Sequence, residues 1–153
     1  MEEEFMAKIA IVTCSNVKNE LSCAATGCFK SFNNRKGMFE RYKDYSEIQI
    51  VGFSTCAGCP TLYAFEKILH KIKPLVEISK ADTIHFSSCM VKLCPFVQKY
   101  KSAINTAYPD VDVVMGTDES TSLDMMKIML KNLLVDDRYG ITEELKKLKK
   151  ANR

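Results

Sequence analysis

Apolar and polar positions along this chain follow two periods that take turns. Residues 8–13 (KIAIVT) form a short, almost unbroken apolar run of the kind a strand buried on both faces requires. Residues 48–53 (IQIVGF), 83–87 (TIHFS) and 111–115 (VDVVM) repeat the pattern. Between these runs the spacing widens to the helical period. Phe29, Phe32, Phe39 and Tyr42 share one helical face over 29–43 despite Gly37. Pro60 suits the first turn of a helix whose stripe is Leu62, Phe65, Leu69, Ile72 and Val76. Pro74 inside that stripe predicts a kink or break near Lys73. Pro95 opens a further helix with Val97, Tyr100, Ile104 and Ala107 facing inward. Thr121 and Asp124 have capping-box spacing ahead of Leu123, Met126, Leu130 and Leu133, and a basic helix over 142–150 follows Gly140.

Strands separated by helices pair in parallel through right-handed crossovers. The expected fold is therefore α/β, a three-layer doubly wound domain of flavodoxin/Rossmann-like type. Its four-stranded, mostly parallel sheet takes the order 2-1-3-4, with a switch point between strands 1 and 3. At 153 residues the chain reads as one domain, 1–153, with its core over about 8–135. The stretch 15–28 lacks either period, and unpatterned loops of that length tend to be functional.

Composition narrows the partners. No run approaches 18 uncharged apolar residues, so no transmembrane helix is expected, and no membrane partner. The start, MEEEFMAK, is acidic where a signal peptide is basic, so the expected location is cytoplasmic. The net charge of +3 comes largely from Lys146, Lys147, Lys149 and Lys150 in the last helix. A lysine-rich helix end complements the helix dipole, and the near-neutral remainder offers no nucleic-acid footprint.

Seven cysteines against two histidines is the abnormal count. An odd number of thiols in a reducing compartment argues against a disulfide framework. It leaves metal binding, redox chemistry or packing. Cys14 follows strand 1, Cys56 and Cys59 follow strand 2, Cys89 and Cys94 follow strand 3, and Cys23 and Cys28 lie in the loop after strand 1. All seven thus fall at or near the carboxyl edge of a parallel sheet, where open α/β folds bind ligands. Packing cysteines would be expected to fall mid-strand or on buried helix stripes as well.

The run Cys56-Ala57-Gly58-Cys59-Pro60 predicts two sulfurs at a helix N-terminus, where dipole and free amides favour the thiolate. Cys14 and Cys89 complete four sulfurs, the set for tetrahedral zinc or for an iron–sulfur cluster. Cys23, Cys28 and Cys94 are one ligand short of a second set; a water, Asp118 or a substrate is the candidate fourth. His85, mid-strand beside Phe86, reads as a hydrogen-bonded core histidine, and His70 as a solvated one.

The competing reading is a thiol–disulfide oxidoreductase with Cys56 as nucleophile, Cys59 as resolving thiol and a redox or small-molecule partner. Against it, no proline closely precedes the third strand, where thioredoxin-like sites carry a cis-proline. A flavin or nucleotide module lacks its glycine-rich motif. A cysteine phosphatase would need arginine where Glu20 stands.

Taken together, Cys14, Cys23-x4-Cys28-Phe29, Lys36-Gly37-Met38-Phe39-Glu40-Arg41-Tyr42, Val51-Gly52-Phe53, Cys56-Ala57-Gly58-Cys59-Pro60, Ser88-Cys89-Met90 and Cys94-Pro95 resemble the CGGC-domain family over about residues 8–118. The resemblance implies a metal-binding domain, with zinc suggested by that family's cysteines and histidines, and it implies no activity. Ala57 replaces the first glycine of the naming motif. Where that family commonly carries histidines, after the second Cys-Pro pair and at the end of strand 4, this chain has Phe96 and Asp118. A site so rich in sulfur moves the expectation from zinc toward iron–sulfur.

Overall fold

β1 (Met6–Thr13) is the central strand, and its alternation sets up both cores. Ala10 and Val12 point into one layer, while Ala7, Ile9 and Ile11 point into the other. After β1 come α1 (Ser15–Glu20), α2 (Thr26–Asn33), a 3-10 helix (Gly37–Tyr42), β2 (Glu47–Thr55), α3 (Ala64–Glu77), β3 (Thr83–Phe86), α4 (Ser88–Leu93), α5 (Val97–Ala107) and β4 (Asp112–Met115). The computed structural model describes residues 5–118. The helices expected after Thr121 and over 142–150 lie outside the described residues.

The four strands are all parallel, in the order β2-β1-β3-β4, as the doubly wound reading requires. One layer packs α3 and α5 on Ala10, Val12, Ile84, Phe86 and Val113 through Ile68, Ile72, Tyr100 and Ile104. The other packs α2 and the 3-10 helix on Ala7, Ile9 and Ile11 through Cys28, Phe39 and Tyr42. Ile9 pairs with Ile50 but Ala10 pairs with Gly52, so Val51 is an extra residue that bends β2. At Gly52 the approach of α3 is close: a Cβ there would run into Leu75 Cδ2.

Three local expectations need correction. The helix over 29–43 is two pieces, because Arg35 takes a positive φ of 49° and Gly37 one of 59°. The stretch 15–28 is ordered rather than one loop, since α1 and the start of α2 occupy it. Finally, α3 starts at Ala64, not near Pro60, and runs through Pro74 to Glu77 without splitting. Its buried stripe is Ile68, Ile72 and Leu75; Leu62 and Tyr63 are 75% and 74% exposed. The Cys59–Pro60 peptide is cis, and Tyr63, just before the helix, has a left-handed φ of 56°.

Candidate thiolate centre at the carboxyl edge

The ends of β1 and β2 place two cysteines side by side. Thr13 pairs with Thr55, and the Cys56 N–H donates to Thr13 O at 2.8 Å, so Cys14 and Cys56 are the next residues in register. Their side chains are hydrogen-bonded to each other. The Ser15 N–H, at the start of α1, donates to Cys56 Sγ at 3.3 Å, and the Gly58 N–H also contributes.

These donors decide the charge. Cys56 is lowered to about 5, chiefly by the Cys14 hydrogen bond, against the opposing effect of burial, with help from Ser15, Gly58 and the Lys71 ammonium. Cys14 is pushed far up, first by the same hydrogen bond, which fixes its proton, and then by burial. The pair is one thiol donating to one thiolate. The thiolate was expected at a helix N-terminus, with the dipole as cause. Instead Cys56 lies in the irregular segment 56–63, and its charge is held by a neighbouring thiol and by amides of α1 and its own turn.

Cys94 and Cys59 lie near this pair. Cys94 packs against the same core as Cys14 and Cys56. Burial raises Cys94, and the charges on Cys56 and Cys59 raise it further. Tyr100, pushed up to about 12 by burial, also feels Cys94, Cys56, Cys59 and Cys14 in that order. Tyr100 shares a core cluster with Cys14, Cys56 and Cys94 and lines a hollow with Cys59. Nothing in the sequence marked it beyond a place on a buried stripe. Cys59 is the exposed member and lines an apolar hollow of about 670 Å³ with Leu62, Tyr63, Phe65, Phe96 and Tyr100.

The other three cysteines gather on the opposite face of the sheet end. Cys89, in the first turn of α4, lies 3.0 Å from Ser87 Oγ and 3.7 Å from Thr13 Oγ1. Cys28 Sγ lies 3.1 Å from Thr117 Oγ1, and burial raises it to about 11, with Asp118, Cys89 and Cys23 adding like charge. Cys23 Sγ accepts the Ala25 N–H at 3.3 Å. The sequence grouped Cys89 with Cys14, Cys56 and Cys59, and left Cys94 with Cys23 and Cys28. The structure groups Cys94 with the first three and Cys89 with the last two. The reason is α4: its first turn lies over the Thr13 side of β1, and the chain must pass through that helix before Cys94 returns to the other layer.

Asp118 accepts from Thr117 Oγ1 at 3.1 Å, and its Oδ2 would lie 2.9 Å from a Cβ on Gly27. His85 has both ring nitrogens engaged. Gly116 O, 2.7 Å from Nδ1, can only accept, so Nδ1 carries the proton and Nε2 accepts from the Tyr42 hydroxyl at 2.7 Å. Stacked on Phe39 and buried, it is lowered to about 4 and stays neutral. That is the core histidine the sequence suggested.

Among the described residues, no three His, Cys, Asp or Glu side chains are gathered closely enough to hold a metal ion. Among the same residues, no helix is long and apolar enough to cross a membrane. The CGGC domain profile matches residues 8–118. The chain belongs to the CGGC domain family. A relative in Methanocaldococcus jannaschii, an uncharacterized protein, is 34% identical over 96 residues, which is 59% of this chain and 69% of the relative. No solved structure matches. The matched span runs from Lys8, within β1, to Asp118 and so includes all seven cysteines. In this CGGC domain the naming motif opens the irregular segment after β2, and its first cysteine, Cys56, is the one set beside Cys14.

Proposed function

We propose that this CGGC domain is a cysteine-rich metal-binding protein whose site is a thiolate centre at the carboxyl edge of the sheet. Cys14 and Cys56 are the anchoring ligands, Cys59 and Cys94 complete the set, and zinc or an iron–sulfur cluster is the occupant. The observation that carries the reading is the Cys14–Cys56 pair, set side by side by the strand register, with the Ser15 N–H donating to Cys56 Sγ and so favouring its thiolate form. A thiolate is the ligating form, and all-sulfur donor sets suit zinc and iron–sulfur clusters above harder ions.

The donor set fits in kind. Cys14, Cys56 and Cys94 pack on one core cluster and Cys59 lines the adjoining hollow, so closing the set requires Cys59 and Cys94 to move toward the pair. Cys59 sits on the irregular segment 56–63, so it can approach Cys56 without disturbing a strand or a helix. When bound, the metal would replace the shared proton as the charge that stabilises both sulfurs. Cys89, engaged with Ser87 and Thr13, is left outside the set, as are Cys23 and Cys28.

Cobalt(II) titration of the reduced full-length chain tests this. Thiolate ligation gives intense sulfur-to-metal charge-transfer bands that scale with the number of sulfurs. The bands should vanish in Cys56→Ser and weaken in Cys14→Ser and Cys94→Ser, while Cys89→Ser retains them. Bands lost in Cys89→Ser and kept in Cys94→Ser would overturn the ligand set.

A further inference from the structure

We infer that Cys14 and Cys56 form an oxidation site, at which a hydroperoxide closes a reversible disulfide between β1 and β2 in the metal-free protein. The register carries the argument. Cys14 and Cys56 follow paired residues on neighbouring parallel strands, and strands so paired lie about 4.8 Å apart. That lies within the Cα separation of about 4.4–6.8 Å that a disulfide needs, so no strand has to move. The bond from the Cys56 N–H to Thr13 O holds the two backbones together at this point.

The hydrogen bonds assign the roles. The Ser15 N–H points at Cys56 Sγ, so Cys56 is the sulfur whose negative charge the fold supports. Cys14 is the next residue in register on the neighbouring strand, which makes it the thiol beside Cys56 and so the resolving group. In the first step the Cys56 thiolate attacks the terminal oxygen of the hydroperoxide. The S–O bond forms, the O–O bond breaks, and the departing alkoxide takes a proton from water to leave as an alcohol. Sulfur has lost two electrons and oxygen has gained them. In the second step Cys14 gives up its proton and attacks Cys56 Sγ; the S–S bond forms, the S–O bond breaks, and the hydroxide leaves as water with that proton. An external thiol reverses the sum by exchange.

Cys59, two residues beyond Cys56, is the alternative resolving thiol, and its neighbourhood argues otherwise. Its side chain faces solvent and the apolar hollow, whereas the residue set beside Cys56 by the strand register is Cys14. The inference shares its two sulfurs with the metal reading but stands without it, because the chemistry takes place in the metal-free chain. Oxidation would then remove the anchoring ligands, so metal and hydroperoxide compete for one site.

The experiment uses the chelator-stripped, reduced full-length chain treated with one equivalent of hydrogen peroxide and mapped by tryptic mass spectrometry. Cys14 lies on peptide 9–18, and Cys56 and Cys59 share peptide 44–67. The expected product links the two peptides with loss of two hydrogen atoms, and the link persists in Cys59→Ser. In Cys14→Ser the sulfenic acid on Cys56 should persist and be trapped by dimedone. An internal Cys56–Cys59 bridge, a link to Cys94, or loss of the 9–18 link in Cys59→Ser would overturn the inference. The cobalt titration reads the metal proposal separately, so either can fail while the other stands.

Discussion

Replacing Cys14 by alanine should return the Cys56 thiol toward ordinary behaviour. In the native chain Cys56 is lowered from 9.0 to about 5, and the hydrogen bond from Cys14 is the largest of the causes. At pH 7 a thiol titrating near 5 is about 99% ionised, and one titrating near 9 about 1% ionised. Once Cys14 is gone, burial still raises Cys56, and only the Ser15 and Gly58 amides and Lys71 oppose it. The midpoint should therefore rise by more than about one pH unit. The assay is the pH profile of iodoacetamide alkylation at Cys56, followed by peptide mapping. The midpoint is the quantity to read, because a thiolate of lower pKa is also intrinsically less nucleophilic and the two effects offset each other in the rate. Linkage gives a second readout. A depressed thiol stabilises the fold above its unfolded value, about 8.5, and that contribution is lost as pH falls through about 5. Stability of the native chain should rise between those limits, and Cys14→Ala should flatten the rise. A Cys56 midpoint that stays near 5 in the variant would refute the assignment of Cys14 as donor.

Other outcomes follow from the same contacts. Tyr42→Phe leaves His85 Nε2 buried without its donor, and urea denaturation should show a loss of about 1–3 kcal/mol. His85 is lowered to about 4, so its neutral form stabilises the fold above about 6.5, and stability falls as pH drops toward 4, by at most about 1.4 kcal/mol per pH unit; acid titration of the unfolding midpoint checks this. Gly116→Ala meets a φ of +139° and Met38 Cγ at 2.8 Å, and thermal denaturation should report a cost of about 1–3 kcal/mol. Metal removal should speed hydrogen exchange in 15–28 and 56–63 and leave Ile9 and Val12 protected, since both are fully buried within the paired strand β1.

The sheet was legible because period and polarity agree: each strand is a short apolar run between helical stripes, and parallel order follows from the crossovers. The place of Cys14, Cys56 and Cys89 was legible for the same reason, since each comes within three residues of a strand end, whereas Cys28 lies inside α2 and Cys94 follows α4. The two faces of that edge were not. Cys89 and Cys94 are five residues apart in sequence, and only the turns of α4 decide which layer each joins. The source of the Cys56 thiolate was hidden too. Pro60 suggested a helix start, whereas residues 56–63 are irregular and the positive φ of Tyr63 marks the start of α3 at Ala64. Cys14 as its partner depends on a one-residue bulge at Val51, without which Thr13 would not face Thr55. No composition or spacing rule encodes that shift.

Metal and acid-labile sulfide analysis of protein purified without oxygen, with Cys56→Ser prepared alongside, tests the central claim most directly. Zinc would give a colourless protein with no sulfide, and a cluster a coloured one with sulfide. The account predicts metal bound in a fixed ratio to the native chain and lost from Cys56→Ser, with the fold of both intact by circular dichroism. A native chain free of metal, or a Cys56→Ser variant that retains its full complement, would contradict it.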